Sequence, residues 1–290
     1  MTARKDQKKP TEPLLNALTR AGIGGFPIEI WLATATAMAP AGVRYQAADA
    51  EALCRARPND VSVHKTREGK RYQLPVGADR AALSKPSAAV EDAIAAALIA
   101  LLDKPASDPG VQRYLERCLP AQCADGTGAG IDALRARASM PGNDLLLADA
   151  LDRRATRLPS AQKVIMRQES VTLYAAAGRH AKSAEVRGVL SGDLAAAGDL
   201  AGAIEEMRLA GADYQLAAMS DPFYLRFVAV VQLNLGRLHI RAGRRRDARA
   251  ATKKAVKLFE SIAARDHRFA DEVRLARRQL KQLGWWGSVS

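Results

Sequence analysis

The sequence predicts a mainly α-helical protein, with antiparallel helical hairpins through the C-terminal half and a small α+β module at the N-terminus. Three observations lead there. Alanine and leucine, both strong helix formers, dominate a chain of 290 residues in which aromatic residues make up only 5%. From Asp144 onward, apolar residues recur at the helical spacing of about 3.6 residues and are interrupted only by turn residues. Period-two alternation appears once, in two adjacent runs around a glycine-containing turn. Apolar residues at 48% and charged residues at 26% are ordinary for a globular protein and exclude disorder over most of the length.

In chain order, residues 1–10 read as a basic, disordered tail without the apolar stretch of a signal peptide. A first domain covers 11–118. Thr11 and Pro13 open a helix at Leu14–Arg20, which Gly22, Gly24 and Gly25 end. Pro27 opens a second, Ile28 to Met38, broken by Pro40 and Gly42. A third runs from Ala47 to Ala56, and Pro58-Asn59-Asp60 turns the chain. Val61, Val63 and Lys65 then alternate with Ser62, His64 and Thr66. After Arg67-Glu68-Gly69-Lys70 the alternation resumes with Tyr72, Leu74 and Val76, so 61–76 reads as a β-hairpin. Ser87 caps a helix whose Val90, Ile94, Leu98 and Leu101 form one stripe. Its apolar run, Ala93 to Leu102, is about half the length of a membrane span. A short helix follows at Val111–Leu119. The glycine-rich stretch 120–130 and the break at Met140-Pro141-Gly142-Asn143 suggest a linker over 119–143, and 77–140 fit either the first domain or a bridge. The second domain, 144–285, is helical throughout, with breaks at Gly178, Gly198, Ser220-Asp221-Pro222, Gly243 and Gly284. Asp221 caps and Pro222 takes the first helical position of a helix about 30 Å long at 1.5 Å per residue.

This half repeats itself. Gly198 is followed by Ala203, Met207 and Ala210, and Gly243 at the same offsets by Ala248, Thr252 and Ala255. Upstream, Leu190, Ser191 and Leu194 correspond to Leu235, Gly236 and His239. Small residues at these spacings let two helices approach closely. The pattern, over about 180–264, resembles the tetratricopeptide repeat (TPR). There a small residue of the first helix admits the second, a glycine turns the corner and two alanines seat the helices. The copies depart from it in their 45-residue spacing, in Gln232 and His239 at usual aromatic positions, and in lacking the terminal proline.

The charge is concentrated. The net charge is +13, and between Arg237 and Lys281 there are 15 basic residues against 5 acidic ones. In the helix after Gly243, Ala248, Ala251, Ala255, Phe259 and Ile262 share one face, and Arg246, Arg249, Lys253 and Lys257 lie opposite. In the last helix Phe269, Val273, Ala276, Leu280 and Leu283 face inward beside a ridge of Arg274, Arg277, Arg278 and Lys281. Like charges one turn apart cost a few tenths of a kcal/mol each, so this arrangement reads either as a solvated face or as a footprint for an acidic surface.

Residues 11–76, three helices and then a basic hairpin, resemble a winged helix. The resemblance implies a wing, with Lys65, Arg67, Lys70 and Arg71 at its tip, lying along a phosphate backbone while the third helix enters the major groove. That helix carries Asp49 and Glu51, and its arginines, Arg55 and Arg57, come only at its end. The Pro40–Gln46 connection is also longer than the usual tight turn.

Local spacing assembles no chemistry. His64, His180, His239 and His267 form no paired ligand motif. Cys54, Cys118 and Cys123 are odd in number and fit a reducing, cytoplasmic setting better than a disulfide framework. Gly126-Thr127-Gly128-Ala129-Gly130 lacks the lysine of a phosphate loop. The expected function is therefore non-catalytic: an adaptor or regulator, without metal or cofactor, that holds an acidic protein or peptide. The TPR resemblance places the ligand on the first helix of the second hairpin. There Leu233, Asn234, Arg237 and Arg241 would face away from the second helix, the two arginines one turn apart. The alternative is a DNA-binding transcriptional regulator using the winged helix. Oligomeric state is not legible.

Overall fold

The computed structural model describes residues 9–21, 25–75, 86–103, 109–140 and 142–285. Val76, Gly22, Gly24 and most of the basic tail lie outside them. The chain divides into two compact units, Met1–Ala150 and Leu151–Ser290.

In the first unit, α1 (Glu12–Leu18), α2 (Ile28–Met38) and α3 (Ala47–Ala56) precede an antiparallel hairpin of β1 (Ser62–Thr66) and β2 (Gly69–Gln73). The Trp31 indole donates to the Leu14 carbonyl at 2.7 Å and locks α2 onto α1. Phe26, between those helices, exchanges two backbone hydrogen bonds with Tyr72, so the hairpin is fastened to the helices as well as to itself. Trp31 and Tyr72 rings meet at 5.0 Å. Next come α4 (Ala88–Leu102), α5 (Pro109–Asp125) and α6 (Ala129–Arg135). Ser87 caps α4 as expected, its hydroxyl accepting from the Val90 amide. Arg20, just past α1, donates to the buried Glu91 of α4 and to Gln122 of α5, joining three elements.

Two boundaries differ from expectation. The hairpin strands stop at Gln73, short of Leu74. The linker read over 119–143 is instead the end of α5, a tight corner and α6, with Leu119, Cys123, Ala124, Ile131 and Leu134 buried. The α5 helix continues through Pro120 because Val111, Leu115, Leu119 and Cys123 prolong one buried stripe, and that burial outweighs the hydrogen bond proline removes. The corner is built by Asp92 of α4, whose carboxylate accepts from the Thr127 hydroxyl and backbone N–H. A β-carbon at Gly126 would overlap that carboxylate.

Helix α7 (Asn143–Ala155) runs across the boundary of the units. The second unit continues with α8 (Ser160–Ala176), α9 (His180–Ala196), α10 (Leu200–Ser220), α11 (Leu225–Arg241), α12 (Arg245–Ala263) and α13 (Ala270–Trp285). From α8 on, each helix packs against the next. The turns after α8, α9 and α11 place Gly178, Gly198 and Gly243 at φ of 67°, 92° and 72°, where a side chain would be strained. The helix expected from Pro222 begins as a short 3-10 turn, Pro222–Tyr224, before α11.

The repeat is visible in the packing. Ala203, Met207 and Ala210 of α10 and Ala248, Thr252 and Ala255 of α12 are all buried against the preceding helix of their hairpin. A β-carbon at Gly236 would overlap Thr252 Oγ1 and the Gln279 side chain. Ser191, 45 residues earlier, fills the same place with a hydroxyl that donates to the Ala203 carbonyl at 2.7 Å. The period reaches further than the two hairpins. Asp221 and Asp266, again 45 residues apart, each cap a 3-10 turn, accepting from the backbone amides of Phe223 and Arg268. On this register α13 takes the first-helix place of a third copy.

Candidate functional site

The expected groove on α11 is only partly open. Leu233 is 4% exposed and packs in a core with Phe259, Val273 and Ala276, so it does not face a ligand. Its turn of α11 faces both α12 and α13, and the expectation did not include α13. Asn234 Oδ1 accepts from Arg237, whose Nε donates to Gln279 of α13 at 3.2 Å. Arg241 donates to the Ala195 carbonyl at 2.9 Å, at the C-terminal end of α9, where the helix dipole favours a cation. The two arginines therefore turn to different neighbouring helices, and the expected arginine pair on one ligand is not what the structure presents.

The outer face of α12 is different. Arg246, Arg249, Lys253 and Lys257 are all exposed, and among the described residues none forms an ion pair. They follow one stripe about 16 Å long at 1.5 Å per residue. On α13 the ridge is partly neutralised: Arg274 pairs with Asp271, and Arg277 with Glu260 at 2.6 Å. Arg278 and Lys281 are exposed without an ion pair among the described residues. Acidic groups of this unit are instead used internally. Arg167, 5% exposed, joins Asp152 and Asp193. Arg187 joins Glu206 and Asp213, and Asp213 also accepts from Ser183. Asp152 of α7 thus belongs to an interhelical pair with Arg167 of α8.

In the first unit, Lys65, Arg67 and Lys70 project from the hairpin, and Arg55 and Arg57 are exposed at the end of α3, with Arg57 3.4 Å from Asp60. Arg71 does not belong with them. It is 6% exposed, donates to Glu68 and the Lys70 carbonyl, and lies against α5 at Gly110, where a β-carbon would overlap its guanidinium. Both faces of β2 are covered at this point, Tyr72 being held by Phe26 and Trp31, so alternation does not carry Arg71 to solvent. On α3, Asp49 is engaged by Lys9 at 2.8 Å and by the Gln46 amide. Burial pushes its carboxyl up, but these partners outweigh burial and hold it below the ordinary carboxylate value. Sequence reasoning passed over Arg113 and Arg117, one turn apart on α5, which face the hairpin turn across a cleft. Their helical spacing was a signal, but their partner surface is distant in sequence.

Among the described residues no helix is long and apolar enough to cross a membrane, and no three His, Cys, Asp or Glu side chains gather as a metal site. The fold and surfaces together define a mainly helical protein with packed helical hairpins and two separate basic faces. No protein-family model matches the chain, and no curated protein matches its sequence.

Proposed function

We propose that this protein is a non-catalytic, TPR-like binding protein that engages an acidic protein surface through the outer face of α12. The observation that carries the reading is the stripe of Arg246, Arg249, Lys253 and Lys257, exposed and, among the described residues, without an ion-pair partner. Holding four cations in line costs self-repulsion, which an acidic partner would offset and which would steer its approach. The partly occupied α11 groove moves the contact from the inner to the outer helix face. The test is affinity purification, with and without nuclease treatment, with the wild type, with Arg246→Glu, Arg249→Glu, Lys253→Glu and Lys257→Glu combined, and with Arg237→Glu alone. An acidic protein retained by the wild type and the Arg237 variant, but lost by the α12 variant, supports the reading. Capture that survives reversal of α12, or that vanishes with nuclease, overturns it.

A second reading is favoured by one specific observation. The Phe26–Tyr72 bridge ties the hairpin to α1–α3, an arrangement that resembles a winged helix, with Lys65, Arg67 and Lys70 on the exposed side of the wing. Double-stranded DNA would then be bound through its phosphates. Replacing Lys65 and Lys70 by alanine would weaken binding to all sequences alike and flatten its salt dependence.

A further inference from the structure

The hairpin turn and the first half of α5 enclose a cleft of about 550 Å³, and four of its lining side chains are arginines: Arg67, Arg71, Arg113 and Arg117. Among the described lining residues one acid, Glu68, stands with them. Its carboxylate bonds both to Arg113 and, at 3.3 Å, to Arg71. We propose that this cleft is a phosphate-binding site, in which Arg113 and Arg117 take the phosphate oxygens and Glu68 is the internal anion that the ligand displaces. This goes beyond both functional readings, neither of which gives α5 a role.

The argument rests on charge, geometry and size. Among the described lining residues, four guanidinium groups stand against one carboxylate and leave the cleft positive. Arg67 and Arg117 have no ion pair among the described residues. Glu68 already shows that the site accepts an oxyanion, since one carboxylate spans arginines from two elements. A phosphate offers more acceptor oxygens and more charge than a carboxylate and suits guanidinium forks. The volume exceeds what one carboxylate fills, leaving room for a phosphate with its attached group. Arg71 is buried, and Gly110 lets it lie against the first turn of α5. One cation is therefore fixed before any ligand arrives, beside the positive end of a 17-residue helix. Arg113 and Arg117 are exposed, so Arg113 can exchange Glu68 for the ligand and Arg117 can close beside it.

The phosphate could belong to a nucleic-acid backbone or to a small phosphorylated compound, and the experiment separates them. The full chain is titrated with pyrophosphate by calorimetry and with a short DNA duplex by fluorescence anisotropy, at one fixed low salt concentration. The variants are Arg113→Gln with Arg117→Gln, Glu68→Gln, and Lys65→Ala with Lys70→Ala. Replacing two exposed arginines should leave the circular dichroism spectrum unchanged and weaken phosphate binding by about tenfold or more. Glu68→Gln should tighten it severalfold, because the competing anion is gone. Duplex and pyrophosphate both weakened by loss of Arg113 and Arg117 identifies a nucleic-acid backbone. Pyrophosphate alone bound, and weakened, identifies a small ligand; the site then stands while the DNA reading falls. Duplex binding that depends on Lys65 and Lys70 but not on Arg113 and Arg117 keeps the DNA reading and overturns the cleft. The proposal is overturned likewise if neither ligand's affinity falls when both arginines are replaced.

Discussion

Asp92 shows how one side chain can hold a corner. Burial pushes its carboxyl up, yet hydrogen bonds from the Thr127 hydroxyl and from the backbone N–H groups of Thr127, Gly128 and Gly130 prevail, and its pKa lies below the ordinary value. A carboxylate whose folded pKa is depressed stabilises fully above its unfolded pKa of about 3.9, and that contribution is lost as pH falls through the folded value. Asp92→Asn should therefore cost about 1–2 kcal/mol at pH 7. It should cost less once pH falls below the folded value and the wild-type group is itself protonated, as urea unfolding at pH 7 and in acid would read. An equal loss at both would mean that the charge is not what the corner uses. The glycines of this corner were legible as a break, but their partner lies on another helix, far upstream, and sequence spacing could not supply it. Ala248 is the opposite case, legible from its offset after Gly243 and fully buried where α12 meets α11. Ala248→Leu should lower stability by about 1–3 kcal/mol through overpacking, while Ala250→Leu on the exposed side changes the melting temperature little. Equal melts for the two would show that the hairpin register is wrong.

Among the elements, long periodic helices were readable and their boundaries were less so. The two faces of α12 were legible because one helix carries both: Ala248, Ala255 and Phe259 are buried, and Arg246, Arg249, Lys253 and Lys257 are exposed. The orientation of Leu233 was not, because α11 packs against α12 and α13 together and a single helix pattern does not say how many neighbours it has. Helix α5 was cut short in the sequence reading at Leu119, since Pro120 is a strong local breaker. The buried stripe through Cys123 overrides it at a cost that should be recoverable. Pro120→Ala restores a backbone N–H that can donate within the helix, and it should raise stability by about 1–3 kcal/mol. Urea midpoints measure this, and a lower midpoint would show that the packing of the proline ring matters more than the missing hydrogen bond. The 45-residue period was found from glycines and alanines. Its continuation through Asp221 and Asp266 passed unnoticed because proline follows only the first of them. The shared feature is the cap geometry rather than the residue beside it.

At the scale of the whole molecule, the two basic faces belong to different units: the hairpin and α5 to the first, the α12 stripe to the second. The excess charge legible between Arg237 and Lys281 is likewise confined to the second unit. If the outer face of α12 is what binds an acidic protein, the fragment 143–285, which keeps α7 whole, should suffice. Its helices from α8 on pack each against the next, and its interhelical ion pairs Arg167–Asp193 and Arg187–Asp213 lie within it. It should therefore give a helical circular dichroism spectrum and one cooperative melt. The fragment should retain the acidic partner with the affinity of the full chain, and that affinity should fall steeply as salt rises, because exposed charges are screened within about 10 Å at 0.1 M salt. The same fragment should bind neither pyrophosphate nor duplex DNA above the level of its own α12 charge-reversed variant. A fragment that folds but loses the acidic partner would place that interaction outside α12 and end the adaptor reading in its present form. A fragment that keeps it, while the full chain alone binds phosphate, would establish two independent binding faces on one chain.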